Sequence, residues 1–180
     1  GIVIIAGTII GVFLEKTGAA LTLAESVLRV VGPKRPALAM SIIGYITSIP
    51  VFCDSGFVIL SALNKALSKK TGTSMAVMAT ALSTGLYATH TLVPPTPGPI
   101  AAANNLHADL GTVIFVGLIV AIPVTIAGYL WATKFASRYE VLAESSVSYE
   151  DLIKQYKQLP SAFAAFTPLV LPILLIGLKS

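Results

Sequence analysis

The sequence predicts an all-α polytopic membrane protein, and three observations carry that prediction. The 180 residues are 55% hydrophobic and only 11% charged, too little charge to solvate the surface of a water-soluble domain of this size. The apolar residues fall in long runs without the strict alternation of barrel strands, and in lipid only helices or closed barrels satisfy every backbone group. Finally, Lys and Arg, which give a net charge of +4, cluster in the short connections between apolar runs. That placement marks the cytoplasmic side of a membrane protein and excludes a nucleic-acid partner as the reason for the charge.

Each element follows in order. Residues 1–14 read as the end of a spanning helix, with Gly7 and Gly11 forming a small face for close packing and Glu15 and Lys16 ending it. Residues 17–31 carry Leu21, Ala24, Val27, Leu28 and Val31 at helical spacing, with Glu25 and Arg29 four apart, the pattern of a short interfacial amphipathic helix. The run 32–36, Gly-Pro-Lys-Arg-Pro, breaks the chain.

Residues 37–67 are too long and too interrupted for one crossing. Pro50 stops the first half, Cys53, Asp54, Ser55 and Gly56 follow, and helix resumes over 57–63. Basic residues flank both ends: Arg29, Lys34 and Arg35 before, Lys65, Lys69 and Lys70 after. A single crossing would strand one cluster outside, so the spacing predicts a re-entrant hairpin that enters and leaves on the cytoplasmic side with its tip at 50–56.

A turn at 71–74 starts a span over 75–93, which Pro94, Pro95, Pro97 and Pro99 must unwind. A second helical piece over 100–106, with Pro99 at its first position, completes a broken helix over about 75–106. Residues 110–131 form the cleanest span, with Tyr129 and Trp131 as interface aromatics and Lys134 and Arg138 beyond. The membrane domain is therefore expected over 1–138. A charged cytoplasmic linker follows over 139–160, with a short capped helix starting at Ser148, and the next transmembrane segment begins over 161–180. Both ends fall inside apolar runs, so an internal piece of a longer chain is expected.

The two breaks concentrate the chemistry, because non-helical backbone at membrane depth survives only where protein buries it or a watery cavity meets it. Asp54 is the sole acidic residue between Glu25 and Asp109, and an intramembrane carboxylate is costly enough to point to substrate or proton handling. It equally suits a helix N-cap, and the two roles are compatible. Ser55 and Gly56 open the following helix, whose free amides suit an anionic group, although Ser55 also suits a turn. Cys53 reads as a small packed side chain.

His90, between Thr89 and Thr91 and close to the second break, is the other proton-coupling candidate beside Asp54; a hydrogen-bonded bundle histidine is the alternative. Thr96, Gly98, Asn104 and Asn105 surround the second break and offer neutral donors and acceptors to a polyol, or else interhelical hydrogen bonds. His107 and Asp109 stand at an aqueous boundary. Cofactor and catalytic motifs are absent, and one cysteine forms neither a disulfide framework nor a Cys-based metal site, so no enzyme, cofactor or metal is expected.

The stretch from Ser48 to Leu60, SIPVFCDSGFVIL, resembles the hairpin of gluconate permeases, and the stretch from His90 to Pro99, HTLVPPTPGP, resembles the same family's broken helix. The similarity runs over essentially the whole chain. The resemblance implies a proton symporter of the bacterial inner membrane for gluconate or a related small sugar acid, with D-serine and other small organic acids as alternatives. It also implies about one repeat of a carrier with two inverted repeats, partnered by the remaining half of the parent chain, by lipid and, where the parent self-associates, by further copies. Matching motif positions put Asp54, Ser55 and the 94–98 break first among the binding residues. A passive channel is the rival class; it predicts flux insensitive to uncouplers and no counterflow.

Overall fold

The protein is described by a computed structural model covering residues 9–179 except 11, 15, 33, 144–148, 155 and 157. Gly7, Gly11, Glu15 and Ser148 lie outside the described residues. Helices dominate: α1 (Ala19–Val31), α2 (Pro36–Thr47), α3 (Cys53–Thr71), α4 (Met75–Leu92), α5 (Pro97–Asn105), α6 (Leu110–Lys134), a 3-10 turn (Ala136–Arg138), α7 (Tyr149–Lys154) and α8 (Ala162–Lys179).

Helix ends obey local chemistry. Pro36 sits in the first turn of α2, where its missing N–H costs nothing. Ser74 caps α4 by accepting from the Ala76 amide (3.2 Å), and Asp109 caps α6 by accepting from the Thr112 amide (2.7 Å). Gly72, at φ 67°, closes α3 in the left-handed conformation that a Cβ disfavours.

Two boundaries differ from those read off the sequence. The helix after the first break opens at Cys53 rather than near residue 57, so Asp54 stands in the first turn and Phe52 takes the cap position without a side-chain bond. The helix after the second break opens at Pro97 rather than Pro99. Thr96 is extended, and Pro97 and Pro99 both fall in the first turn, where no helical carbonyl waits for an amide.

α4 is the axis of the molecule, and small residues let its neighbours close on it. A Cβ on Gly44 of α2 would stand 2.7 Å from the Leu82 carbonyl oxygen, and one on Gly85 of α4 would run into the Ser41 carbonyl. Ser41 Oγ also donates to the Ala81 carbonyl (3.2 Å) across the same crossing. On the other side, Gly117 of α6 lies against Leu92 and Gly128 against Thr84, so α6 runs antiparallel to α4 at backbone contact. Tyr45 of α2 ties the third side by donating to the Leu118 carbonyl (2.7 Å), one turn before Pro123 interrupts the α6 hydrogen-bond ladder. Met40, Ile43, Leu60, Met78, Leu82 and Leu86 fill the space between α2, α3 and α4 at 0–1% exposure.

α6 with the turn after it, Leu110–Arg138, is long and apolar enough to cross a bilayer, and α2 is a shorter apolar helix. α6 buries only a stripe through Ile114, Gly117, Ala121, Thr125 and Ala132. Phe115, Ile119, Ile122, Ile126, Leu130 and Trp131 face outward.

Candidate functional site at the facing helix breaks

The first break is a tight connection between α2 and α3. Ser48 Oγ donates to the Val51 carbonyl (3.1 Å), Val51 is fully buried, and the extended Phe52 turns the chain into α3, whose Gly56 amide donates back to the Phe52 carbonyl (2.8 Å). Cys53, Asp54 and Ser55 thus have no helical carbonyl behind their amides. The Cys53 amide is met from the side by His90, whose Nδ1 accepts it at 3.4 Å. The second break begins two residues beyond His90, where α4 ends at Leu92.

The breaks are therefore neighbours. Besides the His90 bond, Ile49 from the first and Val93 from the second share a small buried cluster with Ile114 of α6. Thr89 Oγ1 donates to the Tyr45 carbonyl (2.9 Å), which holds the end of α4 on the end of α2. The His90 ring is half-buried, with the Phe52 ring edge-on at 5.6 Å and Tyr87 tilted at 6.4 Å. An imidazole that accepts at Nδ1 holds no proton there, so this arrangement fits the neutral ring with its hydrogen on Nε2.

Asp54 is exposed in the first turn of α3, where the helix dipole favours a negative charge. Its Oδ1 lies 3.7 Å from the Cys53 thiol. Cys53, Asp54, Phe57, Ser83, Leu86 and Tyr87 line an open cavity of about 360 Å³ between α3 and α4. Ser55 is half-buried, and Gly56 is buried where a Cβ would stand 2.8 Å from the end of the Leu86 side chain. The absence of a side chain at Gly56 thus lets α3 approach the cavity wall.

The residues of the second break are arranged differently. Thr96 is buried, and its Oγ1 donates to the Val93 carbonyl (2.8 Å), which stabilises the unwound turn. Gly98 is exposed with open space around its Cα, and Asn104 and Asn105 are exposed at the far end of α5. None of these four lines the Asp54 cavity. His107 adopts φ 49° just past α5, and Asp109 is engaged as the α6 cap.

Two polar cavity residues escaped the sequence reading, Ser83 and Tyr87, as did Leu86 between them. With His90, Ser83 and Tyr87 recur at i, i+4 and i+7 along α4, which places three polar groups on one helical face. That periodicity was the available signal.

Interrupted helices that meet around a carboxylate and an imidazole are features of solute-carrying membrane permeases. A family model described as GntP family permease matches residues 1–180, and the chain belongs to that family. It is 37% identical to an uncharacterized permease of Haemophilus influenzae over all of this chain and 39% of that protein. It is 34% identical to a gluconate permease of Zymomonas mobilis over 99% of this chain and 40% of that protein. It is likewise 34% identical to the D-serine transporter DsdX of Escherichia coli K12 over 97% of this chain and 39% of that protein. The chain thus spans about two fifths of the length of these relatives. No solved structure matches it.

Proposed function

We propose that this chain supplies the substrate-handling part of a secondary active transporter that takes up gluconate or a related small sugar acid together with protons across the bacterial inner membrane. The observation that carries the reading is the bond of His90 to the Cys53 amide at the helix start that also carries Asp54, whose side chain lines an open cavity between two helices. The first-turn amides of α3 beyond Cys53 suit a carboxylate, and Ser83, Tyr87 and Ser55 offer hydroxyls to a polyol. Thr96, Gly98, Asn104 and Asn105 of the second break contribute once the rest of the parent chain closes the site.

In this reading α2 and α3 form the re-entrant hairpin, with the basic groups Arg29, Lys34, Arg35, Lys65, Lys69 and Lys70 all cytoplasmic and the linker 139–160 on the same side. Asp54 or His90 takes up the proton, which offsets the charge of the anion and lowers the cost of moving it. The site then changes its exposure by a rigid-body shift of one repeat against the other. The name of one relative, a D-serine transporter, supports a small amphoteric acid as the second reading of the substrate.

The test is uptake of labelled gluconate by cells carrying the full-length parent, with and without an uncoupler, in wild type and Asp54→Asn. Uncoupler-sensitive uptake that the variant loses while still inserted is the expected result. Uptake indifferent to the uncoupler defeats proton coupling, and uptake of D-serine but not gluconate reassigns the substrate.

A further inference from the structure

We propose that His90 is a proton-operated latch: its neutral ring holds the hairpin tip on α4 through the Cys53 amide, and protonation at Nδ1 releases it. The latch rests on the reading of His90 as a proton-coupling residue and adds what the proton would do to the structure. Among the described residues, the Cys53–His90 bond is the sole hydrogen bond between the 52–56 turn and α4. The other ties at this junction are apolar, through Gly56 on Leu86 and Ile49 on Val93, apart from the Thr89–Tyr45 hydrogen bond that holds α4 to α2 rather than to the tip.

The switch follows from the inventory of the imidazole. Nδ1 offers one lone pair, and a proton placed on it turns the acceptor into a donor that faces another donor. The repulsion is sharpened because the Cys53 amide opens α3 and so carries part of the positive end of the helix dipole. The released ring has a partner one residue further along the chain: Asp54, next to Cys53, lies exposed at the cavity. A charged ring that turns from the Cys53 amide to the Asp54 carboxylate exchanges a bond that fixes the tip for an ion pair at the cavity mouth.

Apart from Cys53, Asp54 and Tyr87, the elements packed around His90 bring no ionisable side chain to it among the described residues. α3 presents Cys53 and Asp54, and α4 itself presents Tyr87. α2 has no charged residue between Pro36 and Thr47, and its Tyr45 hydroxyl is engaged with α6. α5 has none between Pro97 and Asn105, and the one charged residue of α6, Lys134, stands level with the opposite end of α4, as the pairing of Gly117 with Leu92 and Gly128 with Thr84 requires.

Cys53 provides the reporter, since its thiol is half-buried at the latch. In the full-length parent with other cysteines replaced, maleimide labelling of Cys53 is followed from about pH 8 to about pH 5, across the ordinary imidazole range. Each rate is divided by that of free cysteine at the same pH, which removes the general rise of thiolate with pH, and the His90→Asn variant carries whatever is particular to the Cys53 thiol. The normalised rate is expected to rise roughly fivefold on acidification, the factor an ordinary hydrogen bond is worth. His90→Asn keeps an acceptor oxygen that does not titrate and should stay slow at every pH; His90→Phe keeps the ring without an acceptor and should stay fast. A rise that persists in His90→Asn, or slow labelling of His90→Phe, overturns the latch. Uptake with and without an uncoupler on the same membranes separates the two readings: coupled uptake with flat labelling defeats the latch alone, and uncoupled uptake with the expected labelling defeats proton coupling and leaves the latch standing.

Discussion

At the residue scale, Tyr87 and Asn64 make opposite predictions. The Tyr87 ring is exposed at the cavity between Ser83 and His90, so Tyr87→Phe removes one hydroxyl and little packing. Under the proposed function, the expected outcome is a KM for gluconate uptake by the parent raised about tenfold, the loss of one hydrogen bond to a charged or polyol ligand, with insertion unchanged. An unchanged KM would remove Tyr87 from the site. Asn64 is 1% exposed in α3, and neither end of its carboxamide has a partner among the described residues. An unpaired buried amide costs about 1–3 kcal/mol, so Asn64→Leu should raise the unfolding midpoint of the detergent-solubilised parent by that equivalent. A lowered midpoint would mean that chain beyond the described residues pairs with Asn64. Asp54 and His90 stand out in the sequence because Asp54 is the sole acidic residue between Glu25 and Asp109 and His90 is one of only two histidines. Ser83 and Tyr87 do not, since their role depends on the phase of α4 against α3, which residue type leaves open.

At the element scale, the crossing of α2 and α4 rests on glycine. Gly85 lies where any Cβ meets the Ser41 carbonyl, and a backbone carbonyl within a helix has no rotamer by which to yield. Gly85→Val should therefore destabilise the bundle by about 3 kcal/mol, at the upper end for overpacking, and lower the folded yield of the parent in membranes. Gly98→Val, with open space around it, is the control that should leave the yield unaltered. The start of α4 was legible because Ser74 closes a turn with a cap residue, that of α6 because the polar His107–Asp109 connection gives way to a long apolar run, and the prolines at 94–99 announced the second break. The starts of α3 and α5 were not. At Cys53 the orphan amide is met by His90, 37 residues away, and at Pro97 two prolines fit the first turn equally well by local rules. Long-range partners decide those ends.

At the scale of the whole molecule, the helix directions fix which loops share a side. α6 has 25 residues, roughly 37 Å at the usual rise, which exceeds a hydrocarbon core of about 30 Å. Its end meets the start of α4: Ser74 Oγ donates to the Tyr139 carbonyl (2.6 Å) and accepts from the Val141 amide (3.1 Å), and the Met75 amide donates to the Val141 carbonyl (2.9 Å). With the Ala76 amide also on its oxygen, the Ser74 hydroxyl uses its single donor and both acceptor positions, so the end of α3, the start of α4 and the exit of α6 are joined in one place. Lys69, Lys70, Lys134 and Arg138 gather there, and the positive-inside rule predicts that this end faces the cytoplasm. Asn105, after α5 and before α6, then lies toward the opposite side. Single cysteines at Lys69, Arg138 and Asn105 in the full-length parent, probed in intact cells with a membrane-impermeant thiol reagent, should label at Asn105 alone, and opening the cells should expose the other two. Labelling of all three from outside, or of Arg138 without Asn105, would contradict this orientation and, with it, a hairpin that enters and leaves on the cytoplasmic face.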